Sequence, residues 1–511
     1  MPPEPPQDSE RQASDPNQAF FRTDHLTEEL RTRTVRSSAV TISAQGLKFV
    51  ITMGSTVILA RLLSPDDYGL IGMVTVVTGF VQLFKDLGLA EATIQQEEIT
   101  HRQVSTLFWI NVGFSLGIAL VVALLAPVVA WFYREPRLIS ITLVLATTFI
   151  FSGLAVQHQA LLRRQMAFAV LAKIEIAALL VGVLIAQGTA FYGAGYWALV
   201  YMQLASALVY VLGAWLACRW KPGVPRWTPD LWPMLSFGGN LTGFRGLNYF
   251  SRNFDNVLIG RVWGAGELGL YSKAYQLLLL PINQINGPVY SVVLSTLSRL
   301  QQDPERYRRV YFKAVLGITT LGMPLVAFLF ATAEQVIELL LGQTWMGVVP
   351  IFQFLMPAAF VATFTISMGW VYQSLGRVDR QFRWGIFSSG INVITFLVSV
   401  RWGAVGVAAA YGVLQPILLA IEVVYCYRGT HLSPVELLQT LAKPGFAALG
   451  AAALLVGFNR SVALPLPPWL NLGLEALLYG GLYLALWLTI PGGRKTLVEL
   501  LQVTQDLKRK P

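Results

Sequence analysis

The chain has 511 residues, of which 54% are hydrophobic and only 13% are charged, and its mean hydropathy is +0.55. Soluble domains have about 25% charged residues, so this composition excludes an ordinary soluble protein and places most of the chain in a bilayer. The net charge of +10 would suit nucleic-acid binding in a soluble protein. Membrane proteins instead collect Lys and Arg in their cytoplasmic loops, so we expect no nucleic-acid partner.

The residue types that carry catalysis or bind metals are sparse. Cys218 and Cys426 each lie at the end of an apolar segment, and the four histidines are scattered along the chain. The sequence has no phosphate-binding GxxxxGK[ST] loop and no Ser-His-Asp pattern. We therefore expect no metal site, no cofactor and no catalytic residues, and we do not expect an enzyme.

Apolar segments fill the chain after a polar beginning. Residues 1–38 contain no apolar segment and no signal peptide, which predicts a disordered cytoplasmic tail. A helix needs about 20 mostly apolar residues to cross a bilayer, and twelve to fourteen segments meet that demand. The fourteen candidates are 39–60, 68–88, 105–132, 138–157, 169–187, 194–217, 234–260, 268–297, 310–332, 348–373, 383–400, 403–427, 440–458 and 469–490.

The basic residues give the orientation of these segments. The two tails and the loops on their side hold 27 Lys and Arg residues, whereas the loops on the other side hold six. Positive residues accumulate on the cytoplasmic side, so both termini are predicted to be cytoplasmic. The same asymmetry supports an even number of spans.

The chain contains an internal repeat. "VILARLLSPDDYGLIG" from Val57 and "VLIGRVWGAGELGLYS" from Val257 share an Arg, a Gly and a Leu at an offset of 200 residues. "FYGAGYWALVY" at Phe191 and "VRWGAVGVAAAY" at Val400 form a second pair. Two parallel lobes of six helices each would explain both pairs, and lobes of this kind enclose a site between them.

This repeat predicts the domain organisation. We expect an all-α polytopic membrane protein of about 14 transmembrane helices, with two pseudo-symmetric six-helix lobes around a central cavity. The predicted divisions are a cytoplasmic tail (1–38), an N-lobe (39–227), a C-lobe (228–430) and two extra helices with a cytoplasmic tail (431–511).

Polar residues form a stripe along the first helix of each lobe. Arg245, Asn248, Arg252 and Asp255 recur at helical spacing, and an offset of 200 residues aligns the first two with Gln45 and Lys48. Ionisable residues within a membrane are costly and usually face a cavity or a partner.

The stripes predict a cationic cavity. Lys48, Arg245 and Arg252 would bind an anionic substrate, because guanidinium and ammonium groups both bind phosphate. Gln45 and Asn248 would add polar contacts. An alternative interpretation is internal ion pairing between Arg252 and Asp255, which are three residues apart. That pairing would leave Arg245 and Lys48 unexplained.

Three carboxylates are candidates for coupling transport to an H+ or Na+ gradient. They are Asp255, Glu175 and Glu422, and a buried carboxylate can hold its proton near neutral pH. Glu475 lies outside the paired lobes, and we assign it to packing.

Several motifs resemble the Wzx-like oligosaccharide flippases, also called polysaccharide transport or exporter proteins, within the superfamily of multidrug, oligosaccharidyl-lipid and polysaccharide flippases. The resemblance runs from about residue 30 to residue 430, and the colanic-acid-exporter branch is the most similar. The motifs are "ILARLLSPDDYGLIGM" at Ile58, "DLGLAEATIQQEEITHRQVSTLFWIN" at Asp86, "ALLRRQMAF" at Ala160, "GAGYWALVY" at Gly193, "NFDNVLIGRVWGAGELGLYSKAYQLLLLPINQI" at Asn253 and "LSRLQQDPERYRRVY" at Leu297.

The resemblance implies a function and a location. It implies that polyprenyl-pyrophosphate-linked oligosaccharide units are turned over across a bacterial inner membrane by alternating access, for exopolysaccharide, capsule or O-antigen lipopolysaccharide. Arg61 and Arg261 match the signature itself, and their place at the outer ends of their helices implies a structural or gating role. Membrane lipid, a polysaccharide polymerase and glycosyltransferases are the partners that this function implies.

Other functions fit the sequence less well. A cation-coupled multidrug exporter would need carboxylates in the cavity rather than three cations. A membrane polysaccharide synthase or polymerase subunit would need a catalytic cluster or a long external loop, and the longest external loop covers only about residues 333–347. A pure scaffold would leave the intramembrane charges unexplained.

Reporter fusions test the predicted orientation. Alkaline phosphatase is active only outside the cytoplasm, so a fusion after Pro511 should be inactive and a fusion after Glu135 should be active. Green fluorescent protein at the same two positions should give the opposite pattern. Phosphatase activity at Pro511 would contradict the charge-based topology.

Overall fold

The computed structural model describes residues 21, 30–82, 89–96, 99–225, 231–461 and 466–494. Within these ranges the regular secondary structure is helical, with no β strand. The α-helices are α1 (Leu30–Leu62), α2 (Pro65–Gln82), α3 (Leu89–Gln95), α4 (His101–Tyr133), α5 (Arg137–Arg164), α6 (Phe168–Phe191), α7 (Trp197–Cys218), α8 (Leu231–Arg299), α9 (Pro304–Ala331), α10 (Ala333–Leu340), α11 (Val348–Ser374), α12 (Val378–Ser399), α13 (Gly403–Tyr427), α14 (Pro434–Ser461) and α15 (Pro468–Thr489).

The long helix α8 is a helical hairpin. Its residue Gly264 has φ 84° and ψ −173°, a conformation that interrupts a helix and that glycine adopts readily. The Tyr271 hydroxyl donates a hydrogen bond of 2.8 Å to Asp255 Oδ2 across a separation of 16 residues. A straight helix would put those residues about 24 Å apart, so the chain must reverse at Gly264.

The helices confirm the predicted fold class. Ten stretches of the described chain are long and apolar enough to cross a membrane, and one of them, Val378–Tyr427, contains both α12 and α13. With the two arms of α8 counted separately, the described residues place a helix in each of the fourteen predicted segments. Residues 83–88 at the end of the second segment lie outside the described residues. The chain is therefore an all-α, multi-pass membrane protein.

The chain divides into two compact units, Met1–Asn253 and Phe254–Pro511. In the first unit α4 packs on α5, α6 packs on α7, and α1 packs on α6. In the second unit α11 packs on α13, and α9 packs on both α11 and α14. Helix α15 packs on α14, so the two extra helices belong to the second unit. The lobe limits at 227 and 430 stay predictions.

The ends of α5 and α11 show that the repeat extends to backbone geometry. Each helix ends in a left-handed residue, which is Met166 with φ 52° in one unit and Gly376 with φ 68° in the other. The next residue closes the turn in both units. Ala167 N–H donates to a carbonyl five residues earlier at 2.9 Å, and Arg377 N–H does so at 2.7 Å. This is the helix-ending motif that usually requires glycine.

Small residues let the helices of the second unit approach closely. A Cβ atom added to Gly412 of α13 would clash with the backbone oxygen of Phe354 in α11. Neither backbone can yield without separating the two helices, and close contact of this kind stabilises helix pairs in membranes.

We therefore expect Gly412→Ala to lower the melting temperature of the purified protein. Overpacking of a close contact costs about 1–3 kcal/mol. Gly385→Ala on α12 is the matched control, because nothing lies within 4 Å of an added Cβ there. Thermal unfolding in detergent measures both variants, and equal melting temperatures would contradict the described α11–α13 contact.

Candidate functional site

Lys48 and Glu175 form an ion pair between α1 and α6. Lys48 Nζ lies 2.6 Å from Glu175 Oε2, and the two side chains are 22% and 35% exposed. Gln45, one helical turn before Lys48, is exposed. The sequence suggested an internal ion pair between Arg252 and Asp255. The structure shows an internal ion pair at Lys48. Sequence patterns did not predict this pair, because the two residues are 127 positions apart along the chain.

The remaining predicted substrate contacts lie on the first arm of α8. The backbone of Arg245, Asn248 and Arg252 belongs to this helix. Their side chains lie outside the described part of the chain, so their roles and the Arg252–Asp255 pair stay predictions.

Asp255 is a buried carboxylate that is held by two donors. It is 5% exposed, and Tyr271, which donates to its Oδ2, is 1% exposed. The backbone N–H of Asn256 donates to its other oxygen, Oδ1, at 2.8 Å. Lys273, on the second arm of the hairpin, is also buried, and its Nζ donates to Gln276 Oε1 at 3.3 Å. The hairpin therefore concentrates ionisable groups within one unit.

Glu422 occupies a different environment on α13. It is partly buried, and the Trp384 side chain of α12 lies close to its carboxylate. The Trp384 ring also stacks on Tyr425 at 5.9 Å, and the Arg380 guanidinium lies 5.0 Å from the centre of the Tyr425 ring. An aromatic and cationic cluster, which the sequence did not predict, thus lies beside this third predicted carboxylate.

Two corresponding contacts follow Arg61 and Arg261 along the chain, one in each unit. After Arg61, Asp67 caps the start of α2 by accepting hydrogen bonds from the Ser64 backbone and hydroxyl. A Cβ atom on Gly195, just before α7, would lie 3.1 Å from the Asp67 carboxylate.

In the second unit, Glu267 occupies the position 200 residues after Asp67. Its Oε2 accepts a 3.4 Å hydrogen bond from the backbone N–H of Ala404 at the start of α13. An acidic side chain therefore contacts the start of the equivalent helix in each unit, and the negative charge is favourable beside the exposed N–H groups there. Sequence reasoning missed these contacts, although the offset of 200 residues was a usable signal.

Arg137 links three segments at the same end of the first unit. Its guanidinium lies 3.0 Å from Asp66 and 2.8 Å from Glu135, and 6.0 Å from the centre of the Tyr196 ring. The hydrogen bonds from Arg137 hold the pKa of Glu135 below its ordinary value. The loop between α4 and α5 is thereby tied to the starts of α2 and α7.

At the other end of this unit, Arg164 holds the short helix α3. Its guanidinium is buried and donates to the backbone carbonyls of Thr93, at 3.3 Å, and of Gln96. These carbonyls lie at the end of α3 and have no partner within the helix. Two of the sequence motifs, "DLGLAEATIQQ" and "ALLRRQ", therefore contact each other.

The sequence model of a family described as "Polysaccharide biosynthesis protein" matches residues 58–350. The lipopolysaccharide biosynthesis protein WzxC of Escherichia coli (strain K12) is 25% identical over 391 residues, which cover 76% of this chain and 79% of WzxC. The teichuronic acid biosynthesis protein TuaB of Bacillus subtilis (strain 168) is 28% identical over 355 residues, covering 66% of this chain and 71% of TuaB.

Among solved structures, the inward closed conformation of the lipid II flippase MurJ has the same fold. It superposes with a TM-score of 0.70 at 13% sequence identity and covers 88% of this chain and 98% of the MurJ chain. At this level of identity the likeness concerns the fold alone.

Charge exchange tests whether the Lys48–Glu175 ion pair stabilises the first unit. Glu175→Gln should lower the melting temperature, because Lys48 then lacks its counter-charge within an apolar segment. A partly exposed pair is worth about 1 kcal/mol or less, so the expected decrease is small. The exchange variant Lys48→Glu/Glu175→Lys should restore the melting temperature.

Gln45→Ala is the control, because this side chain is exposed on the same helix. If the exchange variant were no more stable than Glu175→Gln, the pair would not contribute to the stability of the unit.

Proposed function

Because the chain belongs to the polysaccharide biosynthesis protein family, we propose that it is a flippase for lipid-linked oligosaccharide. In this proposal it turns polyprenyl-pyrophosphate-linked repeat units from the inner to the outer leaflet by alternating access. The units serve the assembly of cell-surface polysaccharide.

The family match over residues 58–350 is the observation that carries this proposal. The names of the two relatives support it, since one is a lipopolysaccharide and the other a teichuronic acid biosynthesis protein. The MurJ fold supports a transporter rather than a scaffold. We propose transport without catalysis, in the bacterial inner membrane, with both termini in the cytoplasm.

In this proposal the polar stripes of α1 and α8 bind the pyrophosphate through their cationic side chains. Arg245 and Arg252 supply planar sets of donors, and Lys48 supplies a point charge. Gln45 and Asn248 add polar contacts beside them. Gln45 is exposed and Lys48 is partly exposed on α1, which supports access of the substrate to both side chains.

The Lys48–Glu175 pair joins a predicted substrate contact to a predicted coupling carboxylate. A pyrophosphate that approaches Lys48 competes with Glu175 for the same ammonium group. Substrate binding at Lys48 would then release Glu175 to carry the coupled H+ or Na+.

The other two carboxylates are the alternative carriers of an H+ or Na+ gradient. Asp255 is supported by its burial and Glu422 by its partly buried position on α13. Arg61 and Arg261 lie at helix ends that precede tight turns. In this proposal they have a structural or gating role. Membrane lipid is a partner throughout. The glycosyltransferases act before transport, and the polymerase acts after it.

Complementation tests both the function and the site. In a strain that lacks its own flippase, the wild-type chain should restore surface polysaccharide. Arg245→Ala and Arg252→Ala, and above all the double variant, should reduce export at least tenfold at normal membrane abundance. Lipid-linked repeat units should accumulate on the cytoplasmic side, because their capture is impaired while their synthesis continues.

Arg309→Ala is the matched control, since Arg309 is an exposed arginine on α9 outside the stripe. Normal export by the double variant would refute the cationic site and leave the proposed function intact. Failure of the wild-type chain to restore export in strains that make different repeat units would count against the function itself.

A further inference from the structure

The paired helices α14 and α15 enclose a carboxylate that the proposed transport cycle does not use. Glu475 is 3% exposed and lies seven residues after the start of α15, within a stretch that can cross a membrane. Its Oε1 accepts hydrogen bonds from two amides, Asn459 Nδ2 at 3.0 Å and Asn471 Nδ2 at 3.1 Å. Its other oxygen, Oε2, is buried without a hydrogen-bond partner among the described residues.

No positive side chain compensates this carboxylate in the described part of the chain. Arg460 is the cation nearest to it in the sequence, and its side chain is exposed and forms no ion pair with Glu475. Helix α10, which packs against α15, brings two further acids, Glu334 and Glu338. Residues 462–465, which connect the two helices outside the described ranges, are Val-Ala-Leu-Pro and have no ionisable side chain.

Burial of an ionised carboxylate without a counter-charge costs so much free energy that proteins neutralise the group instead. Two amide donors on one oxygen reduce this cost without removing the charge. A buried, unpartnered Oε2 also leaves one acceptor free for a ligand.

We propose that Glu475, with Asn459 and Asn471, forms a binding site for a monovalent cation, either a proton or a sodium ion. A proton on Oε2 would neutralise the carboxyl group and leave Oε1 to accept the two amide hydrogen bonds. A sodium ion would instead require the amide oxygens to face the carboxylate.

Both arrangements are compatible with the positions of the two asparagines. The oxygen and nitrogen of an Asn amide occupy nearly equivalent positions, and their assignment follows from the hydrogen-bond partners. Rotation of both amides by 180° would place two carbonyl oxygens beside the carboxylate, an all-oxygen ligand set of the kind that hard cations prefer.

The site connects cation binding to the packing of the two extra helices. Asn459 lies near the end of α14, whereas Asn471 and Glu475 lie on α15, so an occupied site joins the two helices at that end. Further along α15, Tyr479 donates to the Ala448 carbonyl of α14 and Tyr483 donates to the Thr320 carbonyl of α9. Cation occupancy would therefore stabilise the attachment of α15 to the second unit. This inference does not rest on the proposed function.

Thermal unfolding of the purified full chain tests the site. Glu475→Gln keeps the shape of a protonated carboxyl group and accepts the same hydrogen bonds, so this variant should fold. Without sodium, the wild-type melting temperature should fall below that of Glu475→Gln as the pH rises, because the empty carboxylate becomes charged. Glu338→Gln, which changes a carboxylate on the adjacent α10, should behave as the wild type does.

Sodium chloride and choline chloride at equal ionic strength distinguish the two cations. If the wild-type melting temperature recovers at high pH in sodium but not in choline, the site takes sodium. If it recovers in neither, the site takes a proton, and carbodiimide labelling of the Glu475 carboxyl should decline several-fold over the same pH range. If the wild type and Glu475→Gln respond identically to pH and to sodium, the proposal is overturned.

Discussion

The bilayer imposes the constraint on which this structure depends, because it offers no water to satisfy buried polar groups. Every charge and every backbone donor or acceptor within the membrane must therefore find its partner inside the protein. Lys48 meets this demand with Glu175 at 2.6 Å, and Asp255 meets it with the hydroxyl of Tyr271 at 2.8 Å. In each case the partner comes from another helix or another arm, so satisfying the charge also fixes how the helices pack.

The same constraint governs the ends of the helices, where carbonyls and N–H groups lack partners within the helix. Arg164 covers the end of α3 by donating to two of its carbonyls. Asp67 and Glu267 meet the beginnings of equivalent helices in the two units. The short helix α3, which is too small to be stable alone, is thus held by a side chain of the long helix α5.

The repeat accounts for the matched contacts of Asp67 and Glu267. Both units place a left-handed residue at the end of the corresponding helix, although one uses glycine and the other methionine. The same backbone geometry therefore occurs with different residue types. A repeat recognised from three shared residues in sequence is therefore more extensive in structure than in sequence.

The sequence by itself determined the membrane class, the fourteen helical segments and the internal repeat, because these depend on composition and on periodicity along the chain. It also identified Lys48, Glu175 and Asp255 as unusual, since charges in apolar segments stand out locally. It did not reveal that Lys48 contacts Glu175, that the Asp255 carboxylate accepts from Tyr271, or that Glu475 has one oxygen without a partner. Those facts depend on which helices pack together, and pairing between residues tens or hundreds of positions apart is decided only by the tertiary structure.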